Sequence, residues 1–169
     1  MADGPAVTKG QGAALILLRL LVGWHFLYEG LVKAILPAWS RAGQPIASWS
    51  AWGYIHSGSG PVAAFLEKMA AVPGAGPWID RLVIAALILV GLSLLLGLFT
   101  QAGCWGALLL LALFYLVAIP TQGVAVPGAE GSYLLVNKNL VEAAAVLVLL
   151  VFRTGRIAGL DLLRQGGRS

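Results

Sequence analysis

Long runs of apolar residues constrain this chain more than any other feature of its sequence. Four such runs lie at about 13–36, 80–99, 102–119 and 137–152, and each approaches the roughly 20 residues that an α-helix needs to cross a bilayer. Only 11% of the 169 residues are charged and the mean hydropathy is +0.88, whereas an ordinary soluble domain has roughly 25% charged residues. The sequence therefore predicts an all-α integral membrane four-helix bundle, in which the fourth span is the shortest.

The first apolar run predicts a retained membrane anchor. Lys9 precedes this run, as in a secretory signal, but no small-residue cleavage pattern interrupts it before Pro37. Cys104 is the only cysteine, and no CxxC motif or Cys/His cluster accompanies it. We therefore expect no metal or haem site, and we expect Cys104 to be a buried packing residue.

The positive charge of the chain is concentrated after the last apolar run, in Arg153, Arg156, Arg164 and Arg168. Positive charge beside a membrane span sets its orientation, so this pattern does not indicate nucleic-acid binding. Together with Lys9 and an even number of spans, it predicts a multi-pass protein of the inner (plasma) membrane with both termini in the cytoplasm. Residues 1–12 and 153–169 are then cytoplasmic tails, and 37–79 is an outer loop.

The outer loop is rich in prolines and aromatic residues, including Trp39, Trp49, Trp52, Tyr54 and Trp78. Tryptophan and tyrosine prefer the headgroup level of a bilayer, so we expect the loop to lie against the outer leaflet. The segment 59–70, with Ser59 as N-cap and Pro61 in the first turn, predicts a short interfacial helix. The rings either set only the depth of the loop or also line the mouth of a ligand site.

The first span carries four ionisable residues, which are Arg19, His25, Glu29 and Lys33. At about 100° per residue they fall within roughly one third of the helix circumference. An ionisable side chain at the bilayer centre is unfavourable by at least ~2.5–3.5 kcal/mol, so such residues usually face the bundle interior. The remaining surface of this helix is apolar and suited to lipid.

The fourth span carries Asn139 and Glu142 on one face. Glu29 precedes Pro37 by eight residues and Glu142 follows Asn137 by five, which at 1.5 Å per residue gives similar depths of ~12 and ~8 Å. We therefore predict a polar pocket near the outer surface between the first and fourth helices. Its predicted catalytic residues are Glu29 and Glu142, and its predicted ligand-binding residues are Arg19, His25, Lys33, Asn139, Trp49 and Trp52.

A purely structural alternative remains open for these residues. Glu29 and Lys33 have the i,i+4 spacing of a helix ion pair, and Lys33 can extend to the interface. Arg19, which lies deeper, can do the same or bond to backbone carbonyls. For His25, a packed or hydrogen-bonded side chain is favoured over a metal ligand.

Four segments of the sequence resemble the DoxX/DoxD family of small four-helix membrane proteins. They are "LLRLLVGWHFLYEGLVKA", "WSAWGYIHSGSGPVAAFLEKM", "GLSLLLGLFTQAG" and "LLVNKNLVEAAAVLVLL". Some DoxD-like members are the membrane subunit of a thiosulfate:quinone oxidoreductase, and others are linked to oxidoreductase complexes. The resemblance implies quinone as the cofactor and a soluble or membrane oxidoreductase subunit as a partner. It also implies the matching site positions Arg19, Glu29, Lys33, Asn139 and Glu142.

Three functions are compatible with these observations. The first is a redox membrane subunit that binds quinone, for which the polar residues would bind the carbonyls and deliver protons. The second is a non-catalytic scaffold that docks a soluble oxidoreductase. The third, a small-solute carrier, has the least support because the sequence has no internal repeat. Small residues in the second and third spans also permit a homo-oligomer.

Overall fold

The computed structural model describes residues 7–34, 49–56, 58, 60–119 and 135–166, and the described part is helical without strands. Its helices are α1 (Lys9–Ala34), α2 (Ala51–His56), α3 (Ala63–Ala70), α4 (Ala75–Leu96), α5 (Thr100–Val117), α6 (Lys138–Val151) and α7 (Asp161–Gly166), with a 3₁₀ turn at Thr154–Arg156. The predicted roles of Pro37, Trp39, Arg168 and the N-cap Ser59 lie outside the described residues.

Three helices, α1, α4 and α5, are long and apolar enough to cross a membrane. Many of their large apolar side chains are exposed, among them Leu17, Leu82, Leu89 and Leu109. Such a surface is typical of contact with lipid. The fourth predicted span corresponds to α6, which has 14 residues. At 1.5 Å per residue α6 is ~21 Å long, shorter than the ~30 Å of bilayer hydrocarbon, so a fourth span is not confirmed.

The helix that follows the outer segment begins earlier than the sequence predicts. Gly74 has a φ of 82°, which glycine adopts without strain, and α4 begins at the next residue. Pro77 is the third residue of α4, where the first helical turn needs no N–H donor, so it does not delay the helix. Trp78 consequently lies on α4 and not in a loop.

The turn between α4 and α5 is short, as the two-residue gap between the apolar runs 80–99 and 102–119 predicts. It consists of residues 97–99, and both Gly97 (φ 63°) and Phe99 (φ 52°) adopt the left-handed conformation. The two helices pack against one another as a hairpin.

Glycines bring α1 and α4 into close contact. A Cβ atom added to Gly91 on α4 would lie 2.4 Å from the backbone nitrogen of Leu27, and one added to Gly23 on α1 would lie 2.9 Å from that of Leu95. These helices therefore approach so closely that only glycine fits at the crossing. The core beside this contact includes Phe26, Leu94 and the fully buried Cys104, which confirms the predicted burial of the cysteine.

The helix α6 packs against α5 and also contacts α1. Asn137, which was expected to open the fourth apolar run, is the N-cap of α6, and its side chain accepts a hydrogen bond from the backbone N–H of Leu140. Val146 and Leu149 are the fully buried residues of this helix and join the common core. Glu142, one turn before Val146, is thereby turned toward the interior.

The two ends of this helix assembly differ in chemistry. At one end, called the basic end below, the turn 97–99 meets residues 153–166, and the backbone N–H groups of Leu160 and Asp161 donate to the carbonyls of Leu96 and Gly97 at 3.1 and 2.8 Å. At the other end, called the aromatic end, α2 and α3 lie beside the end of α5, where the backbone N–H of Gly60 donates to the carbonyl of Val117 at 2.8 Å. The short helix predicted near residues 59–70 is therefore α3, which begins at Ala63.

Candidate functional site: a polar cavity at the aromatic end

A cavity of about 250 Å³ lies between α1, α5, α6 and the segment that contains α2. Six of its lining side chains are polar or charged, namely His25, Glu29, Lys33, Lys138, Asn139 and Glu142. Phe26, Trp49, Tyr54 and Phe114 supply aromatic rings. The cavity therefore contains six of the eight residues that the sequence assigned to the predicted site.

The first helix contributes His25, Glu29 and Lys33, which follow one another at intervals of four residues. This spacing places them along one face, because an α-helix has 3.6 residues per turn. The Lys33 ammonium donates a hydrogen bond to the Glu29 carboxylate, which satisfies both groups within the helix. The same ammonium lies 5.4 Å from the centroid of the Trp49 ring, a distance at which a cation–π interaction forms.

The sixth helix contributes Glu142, the most enclosed carboxylate of the cavity. Its Oε1 atom lies 3.6 Å from Nδ1 of His25, which is too long for a hydrogen bond. This oxygen is buried and has no hydrogen-bond partner within the described part of the chain. A buried acceptor without a partner is unfavourable by about 1–3 kcal/mol. A ligand or water that donates a hydrogen bond to this Glu142 oxygen would therefore lower the free energy of the site.

An aromatic wall closes the cavity on the side of α5. The Tyr54 hydroxyl donates to the carbonyl of Phe114 at 2.8 Å, and the two rings meet edge to face with centroids 6.0 Å apart. Burial raises the pKa of Tyr54, so the phenol is neutral at physiological pH. Tyr54 is not among the predicted site residues, although it is one of the aromatic residues of the predicted outer loop.

The position of Tyr54 depends on a contact that the sequence does not reveal. The backbone N–H of Ala51 donates to Oδ1 of Asp80 at 2.7 Å, so a carboxylate on α4 caps the first turn of α2. Asp80 on α4 is thus bound to α2, and its neighbour Arg81 lies over the Trp78 ring at 5.1 Å. Lys138, the one charged lining residue among those described that was not predicted, precedes Asn139 on the first turn of α6.

A wider groove extends from the cavity between α1 and α6. It shares five lining residues with the cavity, which are His25, Tyr54, Lys138, Asn139 and Glu142. Beyond them the groove is lined by Leu21, Val22, Val141 and Ala145. Leu21 is 59% exposed and Val141 62% exposed, so the groove reaches the apolar outer surface of the helices.

Two of the predicted site residues lie elsewhere. Arg19 shares a face of α1 with Glu29, but ten residues of helix separate them by ~15 Å. At the basic end its Nη1 donates to the carbonyls of Thr154 and Ala158 at 3.0 and 2.6 Å. Trp52 stacks on the ring of His56 with centroids 5.9 Å apart and does not line the cavity.

The described residues include no group of three or more His, Cys, Asp or Glu side chains that could hold a metal ion. The cavity instead offers hydrogen-bond donors, two carboxylates and aromatic faces to an organic ligand. No protein-family model, curated protein or solved structure matches the chain.

Proposed function

We propose that the protein is a DoxX/DoxD-like membrane subunit of an oxidoreductase system, and that the cavity at the aromatic end binds the head group of a quinone. The observation that supports this proposal best is the cavity of about 250 Å³ between the ionisable side chains of α1 and α6. Drug-sized ligands occupy roughly 300–1,000 Å³, so this cavity suits a single substituted ring. An ion pair with a purely structural role does not require a cavity beside it.

The shape of the adjoining groove supports a ligand with an apolar tail. The groove leaves the polar cavity, passes Val22 and Ala145 and reaches exposed Leu21 and Val141. A quinone combines a polar ring with an isoprenoid chain, so its ring would occupy the cavity while its chain lay along the groove. Such a ligand would enter from the bilayer and would not need to pass through water.

The polar residues match the chemistry of quinone reduction. Conversion of a quinone to a quinol takes up two electrons and two protons. Asn139 and Lys138 are hydrogen-bond donors for the carbonyl oxygens, and Glu142 and Glu29 can carry the protons. The electrons would come from a donor such as thiosulfate or from a partner oxidoreductase subunit, as the resemblance implies.

The orientation of the protein is part of the proposal. Arg153 and Arg156 lie at the basic end, and Lys9 begins α1. Because cytoplasmic segments next to membrane spans are enriched in Lys and Arg, we place the basic end in the cytoplasm. The quinone cavity then lies near the opposite surface of the inner membrane.

A non-catalytic scaffold is the second candidate, and one observation favours it. Glu29 and Lys33 satisfy each other within a single helix, so they require no ligand to be stable there. A scaffold would keep this pair as a structural feature and would use the aromatic end to dock an oxidoreductase.

Quinone binding to the purified protein separates the two candidates. In detergent, isothermal titration with short-chain ubiquinone and menaquinone analogues should show saturable binding. The Glu29→Gln/Glu142→Gln double variant should bind the reduced (quinol) analogues at least about tenfold more weakly, because a quinol hydroxyl donates to a carboxylate and a hydrogen bond to a charged group contributes about 1.5–3 kcal/mol. Glu67→Gln is the matched control, since Glu67 lies on α3 and bonds to His56 at 2.8 Å outside the cavity.

Equal binding by wild type and the double variant would refute the assignment of the cavity. Absence of saturable binding by the wild type would favour the scaffold. Loss of quinone absorbance on addition of thiosulfate tests the donor in a separate measurement, so a negative result there leaves the binding site itself supported.

A further inference from the structure

A second cavity, of about 500 Å³, lies at the basic end, on the opposite side of the molecule from the quinone cavity. Two arginines, Arg153 and Arg156, line it together with Gln101 and the start of α5. Both arginine side chains are exposed and form no ion pair with any described residue. The cavity therefore presents two exposed guanidinium groups.

Among the described residues that line this cavity one is acidic, Asp161, and it binds the start of α5. Its two carboxylate oxygens accept hydrogen bonds from the backbone N–H groups of Phe99 and Thr100, at 2.8 and 2.9 Å. The carboxylate thereby caps the first turn of α5, where the positive end of the helix dipole already compensates its charge. The cavity as a whole remains attractive to an anion.

An apolar groove of about 370 Å³ adjoins this basic cavity. The two share Phe99 and Ala102 in their linings, and the groove continues between α4 and α5 along Leu92, Leu96 and Leu98. Phe99 and Leu92 are both exposed on the outer surface of the helices. A basic cavity thus leads directly into an apolar channel on a surface suited to lipid.

We infer that the basic end binds an anionic glycerophospholipid, whose phosphate lies between Arg153 and Arg156 and whose acyl chain follows the groove between α4 and α5. Arginine forks match the oxygens of a phosphate group, and basic pockets on the cytoplasmic side of membrane helices are suited to anionic head groups. Free inorganic phosphate has the same head-group chemistry, but it would leave the apolar groove without a role. This inference does not depend on the quinone cavity.

The full-length protein in a neutral detergent tests the inference. It is titrated separately with phosphatidylglycerol, phosphatidylcholine and inorganic phosphate, and native mass spectrometry counts the bound molecules. Phosphatidylglycerol should bind in preference to phosphatidylcholine. The Arg153→Gln/Arg156→Gln variant should bind phosphatidylglycerol about thirtyfold more weakly, because each arginine facing an anionic lipid contributes about a fivefold gain.

Arg81→Gln is the matched control for loss of a positive charge, since Arg81 is exposed and lies at the start of α4, outside both cavities. A second variant tests the groove without changing any charge. Ala102→Phe places a ring where the cavity and the groove meet and should also weaken phosphatidylglycerol binding, whereas Ala112→Phe, an exposed position further along α5, should leave it unchanged.

Equal phosphatidylglycerol binding by wild type and the double arginine variant would overturn the inference, and the arginines would then only set orientation. Binding of inorganic phosphate as tight as that of phosphatidylglycerol, unaffected by Ala102→Phe, would overturn the lipid assignment in favour of a free anion. Weaker lipid binding in both the arginine variant and Ala102→Phe, with both controls unchanged, would establish it.

Discussion

Replacement of Arg19 by leucine should destabilise the fold without changing the polar cavity. Arg19 is only 2% exposed, and its Nη1 bonds to the carbonyls of Thr154 and Ala158. Hydrogen bonds from a charged group contribute about 1.5–3 kcal/mol each, so the two sum to about 3–6 kcal/mol. The Nε atom is buried without a partner among the described residues, and leucine removes this unfavourable burial. We therefore expect a net loss near the lower limit, about 3 kcal/mol.

The sole cysteine supplies the assay for this loss. Cys104 is fully buried, so its reaction with a thiol-specific fluorescent dye during heating reports unfolding. A loss of about 3 kcal/mol should lower the melting temperature by about 6–12 °C. Arg19→Lys, which keeps the charge but not the planar guanidinium, should lie between leucine and wild type.

Arg81→Leu serves as the control, because Arg81 is exposed and lies over the Trp78 ring at the start of α4. Its melting temperature should change by less than about 2 °C. If Arg19→Leu had the same melting temperature as Arg81→Leu and wild type, the hydrogen bonds from Arg19 to the carbonyls would contribute nothing to stability. If the folded Arg19→Leu variant instead lost quinone binding, Arg19 would belong to the ligand site, as the sequence suggested.

Three further substitutions test separate parts of the structure by the same dye assay or by quinone titration. Gly91→Ala should destabilise the protein by about 1–3 kcal/mol, because the added Cβ would clash with the backbone of α1. Gly76→Ala on the same helix is the control: its Cβ meets nothing within 4 Å, so this variant should be neutral or slightly stabilising. Equal melting temperatures for the two variants would contradict the close helix crossing. Asp161→Ala should lower stability by about 0.5–2 kcal/mol through loss of the α5 cap, and an unchanged melting temperature would show that the cap is dispensable. Trp49→Ala should weaken quinone binding about threefold to thirtyfold, because it removes a cavity wall and the cation–π partner of Lys33. Trp52→Ala should leave quinone binding unchanged, because Trp52 does not line the cavity. Equal effects of the two substitutions would refute the placement of Trp49, and not Trp52, in the binding site.

The sequence predicts the long helices well because a helix that crosses a bilayer needs about 20 mostly apolar residues in succession. Apolar runs of sufficient length identified α1, α4 and α5, and the short link predicted their hairpin. The start of α4 was placed too late, at residue 80 and not at Ala75, because Pro77 was taken as a helix breaker although the first turn tolerates it. The short α2 was not predicted, since six residues give no hydrophobic period and its first turn depends on Asp80.

The candidate site was partly predictable for a similar reason. The unfavourable burial of charge requires His25, Glu29 and Lys33 to face inward, and helix geometry fixes them on one side of α1. Tyr54 and Lys138 could not be identified by this reasoning, because a tyrosine on a short helix and a lysine on a first turn face no such requirement. Their places in the cavity follow from tertiary contacts alone.

Arg19 and Glu142 show why an ionisable residue within an apolar helix does not by itself identify a ligand site. Both are turned away from lipid, as their unfavourable burial requires. Arg19 is surrounded by carbonyls that accept its hydrogen bonds, and it fills its site. Glu142 has an oxygen without a hydrogen-bond partner among the described residues, and it adjoins a cavity that continues as a groove toward the apolar surface. Free space beside a polar group that lacks a hydrogen-bond partner is the feature that separates Glu142 from Arg19, and it is the reason why we propose the ligand site at the aromatic end of α1.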